Sequence, residues 1–341
     1  MILAAACSDA DDIVRRLHGR SRYAMPLANR ALVRYAAEAL VAAGVRDIAI
    51  AVSPSTISDV QGLISEQLSF GARLRYLETA DAVTPLDTLI AARDLMDADR
   101  PLVVHSGDAF VMAGLGDAVA DFNRGRPDVL LVSEASRTHP EASPVAIISP
   151  DALRELDRFS AHSSTIWGTI AALAEFGVRV ADHALGGCWC YLGDADHLLE
   201  ANRMILDELP HSAPEGELGS VRIEGRVVIH PSARLEMATV RGPAVIGGGA
   251  ELVNTFVGPY TSIGSGARLE GAEIDHSIVL DGAIIRHPGH RLEASVIGAG
   301  AEISRDYGMP TAVRLQVGRR STVMLGCLLY TSDAADDLTR V

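Results

Sequence analysis

The chain has 341 residues, 48% of them apolar and 22% charged, which is enough for two packed cores without disulfides. Its net charge of -14, with no arginine cluster long enough to build a basic stripe, argues against a nucleic-acid partner. No apolar run reaches the ~20 residues of a membrane helix, Met1 to Cys7 is no secretion signal, and the cysteines have no zinc-ligand spacing, so a cytoplasmic chain with reduced thiols is expected.

All 30 basic Lys+Arg positions are arginine; lysine is absent. From the start to about residue 210, short apolar runs alternate with helix-like segments. Ile48–Val52, Leu102–Val104 and Val129–Val132 read as buried strands. Asn29–Ala43 places Leu32, Val33, Ala36, Ala39 and Leu40 on one helical face and stops at Gly44. Asp194 or Asp196 caps a second helix carrying Leu198, Leu199, Ile205, Leu206 and Leu209, which ends before Pro210. This alternation predicts an α/β domain over residues 1–212 with a mostly parallel sheet covered on both faces. Ligands of such sheets sit beyond the carboxyl ends of the strands, where His105-Ser106-Gly107-Asp108 falls.

Past Pro214 and Gly219 the pattern becomes repetitive at a step of 17 residues. Ile229, Ile246, Ile263 and Leu280 share one register, Leu235, Leu252 and Leu269 a second, and Val240, Val257 and Ile274 a third. Gly247, Gly249, Gly264 and Gly266 recur where tight corners leave little room for side chains. Three superposed registers predict a left-handed parallel β-helix of hexapeptide-like triplets over residues 218–323; hairpins would need period two and turn pairs. Residues 327–341 have neither the repeat nor continuity with what precedes them and read as a non-native tail, with the native end missing.

Pro26-Leu-Ala-Asn-Arg30, Gly107-Asp108, Leu198-Leu-Glu-Ala-Asn-Arg203 and, in the repeat, Val240–Gly247, Val257–Gly264 and His276–Leu280 together resemble the long form of glucose-1-phosphate thymidylyltransferases, over residues 1 to about 323. The resemblance implies a Rossmann-like nucleotidyltransferase domain. It implies transfer of a nucleotidyl group from a nucleoside triphosphate to a sugar-1-phosphate, with Mg²⁺ stabilising the attack and pyrophosphate leaving. The partners implied are a nucleotide or nucleotide sugar, a sugar-1-phosphate, and a homo- or hetero-oligomeric assembly, with neither nucleic acid nor membrane.

Carried over residue by residue, the resemblance makes Arg22 the match of a catalytic phosphate-binding lysine and Asp108 the first metal-binding aspartate. Tyr191 falls at the second metal carboxylate and Cys190 at a lysine. Arg15, Arg16, Asp87 and Gly107 fall around the nucleotide or sugar pocket, Asp87 in place of a glycine. The family's glycine-rich triphosphate loop maps to Ala4–Arg16, which has no glycine and carries Asp9, Asp11 and Asp12. Leu131–Val145 is too short for the family's sugar-phosphate segments. A neutral phenol is a poor Mg²⁺ ligand and acidic side chains repel triphosphate, so a nucleotidyltransferase architecture with an impaired site is expected. Two alternatives stay open: an active divergent enzyme that needs Mg²⁺, Arg22 and Asp108, and a β-helix acyltransferase using one of His230, His276, His287 and His290, which otherwise read as solvated surface residues.

Overall fold

A computed structural model describes residues 1–4, 13–54, 56–65, 72–80, 84–95, 99–107, 109–112, 114–134, 144–158, 166–185, 189–192, 194–210, 216–218 and 220–305. Met1–Arg305 form one compact unit. No helix among the described residues is long and apolar enough to cross a membrane.

Strand β1 (Ile2–Ala4) leads to α1 (Ile13–His18), the hairpin of β2 (Pro26–Leu27) and β3 (Arg30–Ala31), and α2 (Leu32–Ala42). Next come β4 (Asp47–Val52), α3 (Ile57–Ser65), β5 (Arg73–Glu78), α4 (Pro85–Leu95) and β6 (Leu102–His105). Then follow β7 (Ala109–Val111), α5 (Leu115–Gly125), β8 (Val129–Glu134), β9 (Val145–Ile148) and α6 (Pro150–Arg154). The α/β part closes with α7 (Ile166–Glu175), β10 (Val180–Leu185), β11 (Trp189–Tyr191) and α8 (Ala195–Asp207).

The seven-stranded sheet runs in the order β10-β8-β9-β6-β1-β4-β5 and is parallel except at β9, which is antiparallel to both neighbours. Apolar runs at the predicted positions become its buried strands because helices cover both faces. Along β4, Ile48, Ile50 and Val52 pack with Val33, Ala36 and Leu40 of α2, whereas Ala49 and Ala51 pack with Leu86 and Leu89 of α4.

Helix α2 starts three residues later than Asn29, because Ala28 and Asn29 adopt left-handed φ values of 45° and 61° as the turn of the β2–β3 hairpin. Gly44 ends the helix at φ 92°, as expected. Asp194 caps α8, its side chain accepting the His197 N–H at 2.9 Å.

The repeat forms a solenoid of three sheets, two with five parallel strands and one with six, whose first strand, Gly216–Leu218, is antiparallel to the rest. Its first coils keep the 17-residue step: Leu235 pairs with Leu252 and Leu252 with Leu269. The step then shortens, and Ile263 pairs with Val279 rather than with the expected Leu280. The physical reason is a corner one residue shorter after Ile274 than after Val257. Since alternate strand residues face opposite sides, Leu280 points outward with Ile278, and Val279 enters the solenoid core. The repeated glycines have two separate causes. A Cβ on Gly264 would lie 2.7 Å from the backbone of Leu280, a close approach between coils, whereas Gly266 has φ 65°.

Ile278, Leu280 and Val245 on the outer face are buried against Leu198 and Ile205 of α8 and Met25 and Leu27 of the hairpin. Inside this apolar junction lies one amide, Asn202, with no solvent exposure. Its Oδ1 accepts the Ala28 N–H at 2.9 Å and the Ser262 O–H at 2.7 Å, and its Nδ2 donates to the Tyr260 carbonyl at 3.3 Å. Removing it strands two buried donors, and Asn202→Leu is expected to lower unfolding free energy by roughly 2–4 kcal/mol in urea titrations.

Candidate functional site

The sheet order fixes where a ligand fits. The chain builds from β1 outward through β4 to β5, then returns to place β6 on the other side of β1, with Ile2 paired to His105. At such a reversal the loops leaving the two strands diverge and open a crevice at their carboxyl ends. Among the described residues it is bordered by Ala4 at the end of β1 and by Ser106 and Gly107 after β6. Asp9, Asp11, Asp12 and Asp108 lie outside the described residues, as do the side chains of Arg15, Cys190 and Tyr191.

Arg22 sits in a 3-10 turn, Arg22–Ala24, packed against α2 and α3 and only 8% exposed. The turn is held by the Met25 N–H donating to the Arg22 carbonyl at 3.1 Å, and by the Ser21 N–H donating to Asp59 Oδ2 at 2.8 Å. Arg16 is exposed on α1. The neighbouring Leu17 carbonyl accepts the Ala299 N–H of the last coil at 2.8 Å, so α1 is tied to the solenoid.

Asp87 stands exposed in the first turn of α4. Its Oδ2 accepts the Thr84 O–H at 2.7 Å and the Thr84 N–H at 3.3 Å, while its own N–H donates to Thr84 Oγ1 at 3.2 Å. This reciprocal pair is a capping box with Pro85 at the first helical position, so the carboxylate serves the helix terminus.

Gly107 is buried at φ 78°, a conformation that suits glycine, and its N–H donates to His105 Nδ1 at 3.0 Å. Because Nδ1 accepts, the proton of the neutral ring belongs on Nε2, which is buried without a hydrogen-bond partner. The Ser106 hydroxyl is likewise buried and unpartnered. Two adjacent orphan polar groups at the end of β6 are what a bound ligand or an ordered water would satisfy. The sequence signal for them is a histidine and a serine directly after the apolar run of β6, in place of further apolar residues.

The antiparallel pairing of β7 with β11 brings together two segments remote in sequence. In β7 and β11, Ala109, the residue after Asp108, pairs with Tyr191. Among the described residues no three His, Cys, Asp or Glu side chains cluster as metal ligands. A phenol is a weaker Mg²⁺ ligand than a carboxylate. In the solenoid, His230 Nδ1 lies 2.8 Å from Ser232 Oγ, the His276 ring meets Tyr260 edge-on, and His287 stands 3.7 Å from Glu270. These are contacts of surface side chains.

Burial, reinforced by the Met1 ammonium, lowers the pKa of His105 from 6.5 to about 3. Between those values the unfolded chain binds a proton that the folded chain excludes, so stability falls as pH is lowered through that window. Between pH 7 and 5 the wild type is expected to lose about 2 kcal/mol more than His105→Leu in urea unfolding. Equal losses would contradict a neutral buried ring.

Compared with models of known protein families, the chain matches none. Over 90% of its length it is 25% identical to a glucose-1-phosphate thymidylyltransferase of Streptomyces antibioticus and 27% identical to one of Streptomyces griseus, covering 94% of each relative. It is also 27% identical to a low-salt glycan biosynthesis nucleotidyltransferase of Haloferax volcanii, over 90% of this chain and 95% of the relative. A crystal structure of a Bacillus anthracis protein assigned as a glucose-1-phosphate thymidylyltransferase, in complex with sucrose, aligns with a TM-score of 0.52 at 14% identity. That alignment covers 62% of this chain and 96% of the other, and is a likeness of fold.

Proposed function

From its likeness to glucose-1-phosphate thymidylyltransferases along nine-tenths of its length, we infer that this nucleotidyltransferase-like chain binds a nucleotide or nucleotide sugar in the crevice between β1 and β6, and that its nucleotidyl transfer is impaired. In the reaction of such an enzyme, a sugar-1-phosphate oxygen attacks the α-phosphorus of a nucleoside triphosphate, and the bond to pyrophosphate breaks. Both reactants are polyanions, so the crevice must hold negative charge on the attacking and the leaving side. The observation that carries the reading is the register of β7 on β11, which sets Tyr191 beside the residue that follows Asp108. A phenol with an ordinary pKa of about 10 adds no negative charge there to hold a cation. Asp9, Asp11 and Asp12, in the segment matched to the triphosphate loop, act in the same direction.

Binding has separate support. The crevice lies at the reversal of strand order, Arg22 is held in a bonded turn, and His105 and Ser106 offer unsatisfied polar atoms at the end of β6. A second reading, a divergent working enzyme that requires Mg²⁺, is favoured by Gly107, whose φ of 78° turns the chain directly before Asp108.

One experiment separates the two. The full chain is mixed with Mg²⁺, glucose-1-phosphate and each nucleoside triphosphate including dTTP, while pyrophosphate release and nucleotide affinity are followed. The expected result is saturable nucleotide binding with release near background, raised about tenfold or more in Tyr191→Asp. Steady release by the wild type that disappears in Asp108→Asn would overturn impairment and support the working enzyme. No binding of any nucleotide would contradict both readings.

A further inference from the structure

We propose that Asn202 and Asn29 are positioning residues through which the β-solenoid sets the geometry of the Arg22 turn; as a statement about ligand binding, this rests on the reading of Arg22 as a phosphate-binding group. The observation behind it is that a single solenoid strand, Thr261–Ile263, with its preceding corner residue Tyr260, supplies every solenoid partner of the two asparagines. The Tyr260 carbonyl and the Ser262 hydroxyl bond to Asn202 at 3.3 and 2.7 Å. The Ile263 carbonyl accepts the Asn29 Nδ2–H at 2.7 Å. Asn202 then accepts the N–H of Ala28, so both residues of the hairpin turn are gripped, one by backbone and one by side chain.

The hairpin turn is a short bonded step from Arg22. The Leu32 N–H donates to the Met25 carbonyl at 3.0 Å, and the Met25 N–H donates to the Arg22 carbonyl at 3.1 Å. The Tyr35 hydroxyl, buried between these elements, donates to the Leu27 carbonyl at 2.9 Å. A shift of the hairpin therefore displaces the arginine. In-register coils move little, because each strand is bonded to the coils on either side of it: Ile246 pairs with Ile263, and Ile263 with Val279.

The same junction reaches the other flank of the crevice. Phe110, two residues after Asp108, and Leu192, next to Tyr191, are buried in the cluster that contains Met25, Leu27 and the solenoid's Ile278. The Phe110 ring meets the Tyr35 ring edge-on, with centroids 5.3 Å apart at 87°. Segments bearing all three matched site positions thus share one apolar cluster with a solenoid face. Had the solenoid been an appendage, its contacts would fall on the outer surface of the α/β part rather than on these segments.

The test uses full-length Ser262→Ala and Asn29→Gly, the glycine keeping the left-handed φ that position 29 requires. Hydrogen exchange is followed over residues 21–32 and, as a control, over β4. Exchange in 21–32 is expected to rise about fivefold or more in each variant, with β4 unchanged. Unchanged exchange in 21–32 would overturn the proposal. The second arm titrates Mg²⁺-dTTP into wild type, Ser262→Ala, Arg22→Ala and the double variant. Ser262→Ala is expected to weaken binding about threefold or more alone, and to add nothing once Arg22 is gone. Additive effects, or full affinity in Ser262→Ala, would show that the junction does not act through Arg22. If the wild type binds no nucleoside triphosphate, the reading of Arg22 falls, and the exchange arm still decides whether the solenoid holds the turn.

Discussion

The amide of Asn202 and the apolar cluster around it are the constraint on which the rest of the molecule depends. A solenoid buries one side of each strand in its own core and leaves the other outside, and here that outer face carries Val245, Ile278 and Leu280. These side chains need a cover, and α8 and the β2–β3 hairpin supply it. Hydrophobic contact alone would let the two surfaces slide, because it has no direction. The buried amide has direction: its bonds to Ala28, Ser262 and Tyr260 are lost together if the surfaces shift, at a cost greater than any one contact is worth. The hairpin, with the turn of Arg22 behind it, is fixed by that arrangement.

Charge explains why the crevice differs from what a polyphosphate demands. Many arginines are committed to ion pairs. Arg30 bonds Glu38 and stacks over Tyr35 at 4.9 Å, Arg203 bonds both Glu200 and Asp207, and Arg179 holds the Asp128 carboxyl below its usual range. Arginine in place of lysine is therefore not in itself a loss, since a planar fork pairs with carboxylates as well as an ammonium does. The impairment we infer rests instead on Asp9, Asp11 and Asp12 in the segment matched to the triphosphate loop and on the phenol of Tyr191.

Much of this was legible in the sequence. The strands over 48–52, 102–104 and 129–132, the cap at Asp194 and the 17-residue step follow from local periodicity and capping chemistry, which act over a few residues. Leu280 was misplaced because its register depends on one corner being a residue shorter, a difference that apolar spacing does not reveal when two adjacent residues are both apolar. The role of Asn202 was illegible for another reason: its partners at positions 28 and 262 are remote in sequence, and a polar residue in a helix gives no sign of what it will meet. Of the site, Gly107 follows the end of β6, Arg22 is held in a bonded turn against α2 and α3, Asp87 caps α4 and Arg16 is exposed; Asp108 and the Arg15 side chain lie outside the described residues. His105 carried the weakest signal of all, a histidine after three apolar residues.

We infer that the crevice receives a nucleotide without the pair of carboxylates that would hold its metal. The most direct measurement is calorimetric titration of dTTP into the full chain, once with Mg²⁺ and once with a chelator. Dissociation constants that agree within about twofold are expected, because this chain adds few ligands to those the phosphates already give the ion. Binding that Mg²⁺ tightens about tenfold or more would contradict it.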